Sequence, residues 1–414
     1  MRAVELFAGA GGLALGASLA GFKPQAVVEW DKWACDTVNE NRDRKYPLVA
    51  DWPQALDKDV RKVDWSSFET HSNEDAVIDL LAGGPPCQPF SMGGKARAHD
   101  DSRDMFPATV SIVRRLRPKA FIIENVKGLT RSTFANYYQY ILLQLEFPEI
   151  VQRKNESWYD HLMRLQKERA SGALHGNGLT YNVVPTLVNA ADYGVPQKRE
   201  RVFIVGFRHD LGIEWSFPKP SHSQEALVAD QWVTGEYWER HEVAKKDRPE
   251  MPKSLEARVR RMKSATSLSA EMKPWRTVRD ALVGLPDPQS KAASKFADHR
   301  FQPGAKSYPG HTGSPLDAPA KTLKAGDHGV PGGENMLVKP DGEVRYFTIR
   351  ESARIQTFPD GYRFHGSWTE TMRQLGNAVP VLLGQKVAQS VAQRLIEAEL
   401  ISMAKGRVGR RSAA

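Results

Sequence analysis

The sequence predicts an α/β fold with a mixed, mainly parallel sheet, joined to a smaller, irregular, β-rich module, and three observations carry that reading. Over about the first 210 residues, short apolar runs alternate with longer helical patterns, the rhythm of βαβ units. From about Leu211 the chain turns basic and then dense in Gly and Pro, with GLPDP, QPG, YPGHTGSP and GVPGGEN before Gly342. Helical periodicity then returns. The 414 residues also exceed what one hydrophobic core usually holds.

Taken in order, strands are expected at Arg2–Phe7, Gln25–Glu29, Val77–Ala82 and Ala120–Glu124. Between and after them, Leu13–Ala20, Lys32–Asn41, Ala108–Leu116 and Phe134–Leu145 carry apolar residues at three- and four-residue spacing, as helices packed on a sheet do. Pro148–Gly178 reads as a charged, less regular insertion, and strands resume at Tyr181–Val188 and Arg201–Phe207, where β-branched and aromatic residues gather. Arg240–Lys263 holds nine basic residues against four acidic, and the rest of the module to Gly342 should be short strands and loops. Ile349–Gln356 and a long amphipathic Val379–Leu400 follow, ending in a frayed basic tail. The expected division is 1–210, 211–342, a return segment 343–402 that completes the first domain, and the tail 403–414.

Composition excludes several classes. At 41% hydrophobic and 26% charged, the chain is that of a globular protein. No window of about 18 apolar residues suits a membrane span, and no secretory cleavage pattern opens the chain, so a cytoplasmic location is expected. Two cysteines, Cys35 and Cys87, cannot build a disulfide framework or a thiolate zinc site, and no metal is expected. Lys and Arg number 58 against 49 acidic residues, a balance of +9 that favours a polyanionic partner.

The turn after the first strand, Phe7-Ala8-Gly9-Ala10-Gly11-Gly12, lets the backbone bend sharply and approach a ligand closely. Glu29, ending the second strand about twenty residues on, suits a ribose diol. The indole of Trp30 suits either a purine face or a cover for the sheet edge, and Asp51, after the expected third strand, suits an adenine amino group or an ordinary turn. The turn lacks the full GxGxxG spacing and no Walker lysine follows, which argues against NAD and triphosphates.

Cys87 sits in Gly83-Gly84-Pro85-Pro86-Cys87-Gln88-Pro89-Phe90-Ser91, a strand emptying into a loop stiffened by three prolines, at the sheet edge where such folds place chemistry. Cys35 lies within a helical pattern and reads as packing. Glu124 ends another strand and can open onto the same edge, as a proton donor or as a solvated acid. Alternation along Gln197-Lys198-Arg199-Glu200-Arg201 sends Arg199 and Arg201 to one face, to hold an anion or a carbonyl or to line a charged edge.

Together these motifs resemble the DNA (cytosine-5-)-methyltransferase family, of the bacterial or phage restriction-modification type. ELFAGAGGLALG, VEWDKWA, GGPPCQPFS, DDSRDMF, ENVKGL, AADYGVPQKRERVFIVGF, TIRESARIQTFPD and QLGNAVP occur in that order, over roughly the first 210 and last 70 residues. The resemblance implies a Rossmann-like S-adenosylmethionine-dependent domain with a target-recognition domain between the two conserved parts. It implies S-adenosylmethionine against Phe7, Gly9 and Gly11, with Glu29 on the ribose, Trp30 on the adenine, Asp51 on its amino group, and Asn377 and Val379 returning to complete the pocket. Cys87 would add to carbon 6 of a flipped-out cytosine, and Glu124 would bond ring nitrogen 3 and the exocyclic amine, with Arg201 and Arg199 in support. Gln88, Ser91, Asn125 and Thr322 would touch DNA. A free thiol near pKa 8.5 is only a few per cent ionised at neutral pH, so the site must favour the thiolate.

The expected partners are duplex DNA and a restriction endonuclease acting on the same site; the expected state is a nucleoid-associated monomer. Relatives of this family methylate cytosine in transfer RNA with a similar PPCQPF loop, and the long central module argues against that reading. A catalytically silent DNA-binding protein is disfavoured because Cys87, Glu124 and Gln197–Arg201 are all present.

Overall fold

Four of the five residues of Arg2–Leu6 are buried, and this run forms β1 between two parallel neighbours. The computed structural model describes residues 1–69, 78–86, 104–172, 178–264, 272–309, 312–325 and 333–411. After β1 come α1 (Gly12–Leu19), β2 (Lys23–Glu29), α2 (Lys32–Asp43) and a two-residue β3 (Leu56–Asp57). Then follow β4 (Leu80–Gly83), α3 (Phe106–Leu116), β5 (Ala120–Val126), α4 (Ala135–Glu146), α5 (Trp158–Ser171), β6 (Tyr181–Asn189) and β7 (Glu200–Arg208).

These strands make one seven-stranded sheet in the order β3, β2, β1, β4, β5, β7, β6. Pairs from β3 through β5 are parallel, and β7 runs antiparallel to β5. The chain winds outward from β1 to β3 and then, from β4, in the opposite direction. The gap between the carboxyl ends of β1 and β4 is therefore the topological switch point, where open α/β sheets bind their ligands. One face of the sheet buries Val4, Leu6, Val28, Leu81, Phe121, Ile123, Val202 and Ile204 with apolar residues of α3 and α4.

The chain clusters into two compact units: 1–188 with 200–218 and 384–414, and 189–199 with 219–383. The second unit contains β8 (His222–Ser223), α6 (Gln224–Ala229), a π turn over Asp230–Thr234, α7 (Glu236–Arg240), α8 (Lys253–Ser264), β9 (Lys273–Pro274) and α9 (Val278–Leu282). It continues with β10 (Ser314–Pro315), β11 (Met336–Val338), β12 (Val344–Tyr346), α10 (Ile349–Ile355) and α11 (Trp368–Asn377). The last helix, α12 (Val381–Arg411), belongs to the first unit from Gly384 on, where Gly384 lies against Leu13 of α1 and Ser390 accepts a hydrogen bond from Trp215 at 2.8 Å.

Four expectations change. Pro148–Gly178 contains a 14-residue helix, α5, capped by Ser157 and burying His161, Leu162 and Leu165; its dense charges mask that stripe in the sequence. Among the described residues the central module holds four helices as well as short strands. The tail continues α12 as far as Arg411. Residues 343–383, read as part of the return segment, cluster with the second unit, through buried hydrogen bonds described below.

Candidate active site

At the carboxyl end of β1 the backbone turns through three left-handed residues: Phe7 (φ 54°), Gly9 (φ 53°) and Gly11 (φ 85°). Glycine adopts this conformation freely, whereas Phe7 does so at a cost of about 1–2 kcal/mol that the surrounding packing must offset. The turn is fixed by Ala8 donating to the Val28 carbonyl at 3.1 Å and Gly9 donating to Glu29 Oε2 at 2.8 Å. Among the described residues, apart from its chain neighbours, none comes within 4 Å of where a Gly9 side chain would project, so this bend is an open cradle.

Glu29 is buried beside it. Its Oε1 accepts from the Trp30 and Asp31 amides, both at 2.8 Å. Burial raises the Glu29 pKa above the ordinary carboxylate value, against the pull of the three amides. A carboxylate offers about four acceptor positions, and three are used, which leaves capacity for a ligand hydroxyl. The cradle and this remaining acceptor fit the ribose of a nucleoside cofactor. Trp30 is 69% exposed, which leaves its indole open rather than packed.

Asp51 lies in a turn ahead of β3, whereas Asp57 ends β3 in register with Glu29. No sequence pattern singles out Asp57, because a two-residue strand carries no periodic signal. Cys35 lies on α2 with its thiol 3.4 Å from the Glu29 carbonyl, and burial, aided by the Glu29 charge, pushes it up to about 12. That thiol stays protonated and serves packing, as the sequence suggested.

On the other side of the switch point, β4 empties into Gly84-Pro85-Pro86. The Asn125 side chain donates to the Pro85 carbonyl at 3.0 Å, and Gly84 runs directly beside Glu124 Oε2. Cys87, Gln88 and Ser91 lie outside the described residues. Glu124 is buried at the end of β5, and Arg201 Nε stands 2.8 Å from its Oε1. The antiparallel register explains the meeting: Arg201 is opposite Val126, two residues from Glu124 on the same face. Burial draws the Arg201 guanidinium below its ordinary pKa, and the Glu124 carboxylate opposes that.

Arg199 does not share this face. It precedes β7, belongs to the second unit and is fully buried, donating to the carbonyls of Leu323 (3.1 Å), Gly376 (2.7 Å) and Ala378 (3.0 Å). The alternation expected through Arg199 and Arg201 fails because residue 199 lies outside the strand. Gln197 reinforces the same scaffold, accepting from Leu323 N at 3.0 Å and donating to Gln356 Oε1 at 3.2 Å. A side chain on Gly376 would run into the backbone of Lys324 and Ala325, so only glycine fits there. Thr322 donates to the Lys198 carbonyl at 2.7 Å; Asn377 is the exposed last residue of α11, and Val379 is buried just beyond.

The family model for C-5 cytosine-specific DNA methylase matches residues 1–148 and 167–393. The chain belongs to that family. Similar proteins include the Type II methyltransferase M.PspPI of Psychrobacter sp. (strain TA137), 33% identical over 399 residues that cover 95% of this chain and 79% of that protein. Type II methyltransferase M.NgoPII of Neisseria gonorrhoeae is 27% identical over 95% of this chain and 96% of its own length. Two solved structures share the fold. An E. coli prophage-encoded structure titled as a DNA modification methyltransferase has a TM-score of 0.57 at 22% identity, covering 95% of this chain and 99% of that one. The S. pombe Dnmt2 methyltransferase has a TM-score of 0.51 at 16% identity, covering 96% and 98%. This cytosine-5 DNA methyltransferase transfers the methyl group of S-adenosylmethionine to carbon 5 of cytosine in DNA. Among the described residues no helix is long and apolar enough to cross a membrane.

Proposed function

We propose that the switch-point residues of the first unit carry the chemistry and that the second unit recognises the DNA sequence. The observation that supports this reading best is the buried Glu124–Arg201 pair beside the Gly84-Pro85-Pro86 loop that leads to Cys87. Carbon 5 of cytosine is a poor nucleophile, so the ring must first be made electron-rich. The Cys87 thiolate adds to carbon 6; Glu124 bonds nitrogen 3 and the exocyclic amine, and Arg201 holds the Glu124 carboxylate in place. When bound, S-adenosylmethionine supplies the methyl group. Phe7, Gly9 and Gly11 form its cradle, Glu29 takes a ribose hydroxyl, and Trp30 stacks on the adenine. Asp57 is better placed than Asp51 to reach the adenine amino group, because it ends the neighbouring strand. Arg199 holds the backbone carbonyls on either side of Asn377, at Gly376 and Ala378. Loss of the carbon 5 proton and expulsion of Cys87 leave 5-methylcytosine. The base is reached only by flipping it from the duplex, which costs a few kcal/mol, and Gln88, Ser91 and Asn125 are the residues assigned to contact it.

In the second unit, α8 supplies the electrostatic footing. Leu255, Val259 and Met262 form its inward stripe, and Arg258 is ion-paired with Glu225 of α6. Lys253, Arg260, Arg261 and Lys263 are exposed and suit DNA phosphates, while Thr322 lies in the segment that reads the bases. The Type II relatives suggest a restriction-modification pair, with an endonuclease acting on the same site. A monomer working in the cytoplasm on the nucleoid completes the proposal.

Labelled methyl donor incubated with duplex DNA or with transfer RNA tests it: label in duplex DNA at one short sequence is expected, and label confined to RNA would overturn it. Converting Lys253, Arg260 and Arg261 together to Ala should flatten the slope of log K against log salt by about 0.9 per lost phosphate contact, without altering the preferred sequence.

A further inference from the structure

Residues 149–166 fall outside the match to the family model, yet they are built into the first unit through specific contacts. Arg164 grips Glu156 with two bonds of 2.8 and 2.7 Å and also donates to the Val151 carbonyl at 2.9 Å, closing the insertion on itself. One turn into α5, the buried His161 places Nε2 2.9 Å from the Ile150 carbonyl and Nδ1 2.8 Å from the Tyr140 hydroxyl. A carbonyl only accepts, so Nε2 carries the proton and Nδ1 accepts from Tyr140. Burial, the largest influence on it, lowers the His161 pKa and keeps the ring neutral.

Trp158 meets the same helix, with its ring centroid 5.6 Å from Tyr137, edge-on, and 5.8 Å from Tyr140. The insertion therefore presses on two tyrosines one turn apart on α4. Tyr140 spends its hydroxyl on His161. Tyr137 donates its own to Asp104 Oδ2, while Asp104 Oδ1 accepts from the Phe106 amide at 3.1 Å at the start of α3. Along the chain Asp104 lies between Cys87 and α3, two residues ahead of Phe106.

We infer that Tyr137 is a positioning residue for methyl transfer, and that α5 is the buttress that sets its ring. Through Asp104, Tyr137 fixes the point at which the Cys87-bearing segment joins α3. The inference rests on Cys87 as the nucleophile. Replacing the hydroxyl by hydrogen keeps the aromatic ring and removes its bond to the carboxylate.

Single-turnover methyl transfer to duplex DNA should fall on the order of 10-fold in Tyr137→Phe, the effect of losing one hydrogen bond to a charged group. S-adenosylmethionine affinity and the melting temperature should stay at wild-type values. Asp104→Ala should lose as much, Tyr137→Phe with Asp104→Ala should lose no more than either alone, and Asp104→Asn, which keeps an acceptor oxygen, should restore most of the rate. A wild-type rate in Tyr137→Phe, additive losses in the double variant, or a rate loss matched by loss of cofactor binding and melting temperature would each overturn the inference. Cys87→Ser run in parallel separates the two levels: full transfer in that variant sinks the nucleophile assignment, whatever Tyr137 does.

Discussion

Each of the two units draws its internal cohesion from different physics. The first is built on a sheet whose central strands β1, β4, β5 and β7 are buried on both faces, β4 at every residue, and its cohesion comes from area removed from water. The second has strands of two or three residues and relies on buried polar pins. Arg345 and Glu351 pair through two bonds of 2.7 and 2.6 Å, and Glu351 also accepts from the Thr348 amide. Arg350, fully buried, donates to the carbonyls of Ala297, Pro359 and Tyr362, and His299 spans Thr348 and Pro286. Short strands leave many backbone carbonyls without ladder partners, and buried arginines satisfy them. A module built this way can vary its loops while a few polar residues preserve its shape.

If chemistry belongs to the first unit and scaffolding to the second, substitutions should separate along that line. Cys87→Ser should lower labelled methyl transfer by about 10³-fold or more while cofactor affinity in titration calorimetry changes little. Glu124→Gln should lower the rate about 10²–10³-fold at saturating DNA, since it removes the group that stabilises charge developing on the base. Arg199→Ala should instead appear as lost stability, about 3 kcal/mol in urea unfolding, because three buried carbonyls lose their donor. A rate loss without a stability loss in that variant would break the comparison.

A smaller effect concerns Glu5, whose burial within β1 pushes its pKa up to about 8 from an ordinary 4.5. Between those values the folded state binds more protons than the unfolded one, so stability falls as pH rises from about 4.5 to about 8. Glu5→Gln should gain on the order of 1–3 kcal/mol over the wild type at pH 8 and almost nothing at pH 4.5 in urea titrations. A gain of equal size at both pH values would mean that Glu5 is not the titrating group.

Much of the first unit was legible because its strands are apolar runs bounded by Gly and Pro and its helices are amphipathic. Strand β1 ends one residue before the expected Phe7, and β5 extends two beyond the expected Glu124. The meeting of Glu124 with Arg201 depends on an antiparallel register that no local pattern reveals. The burial of Arg199 depends on residues more than a hundred positions away, and the α5 stripe was hidden under its charges. Asp57 was illegible for the simplest reason, since two residues cannot show a period.

The run Gln197–Arg201 is one motif in sequence and two parts in structure, with Arg199 in the second unit and Glu200 in the first. Engineers wishing to exchange the second unit between relatives should therefore set their seams by the hydrogen bonds of Arg199. A graft cut at Leu211 and Gly342 would leave the host's Arg199 facing carbonyls at Leu323 from the donor and at Gly376 and Ala378 from the host. Seams at Asn189, between Arg199 and Glu200, at Lys219 and at Gly384 transfer the arginine together with all three acceptors, so the graft arrives with its own fastening.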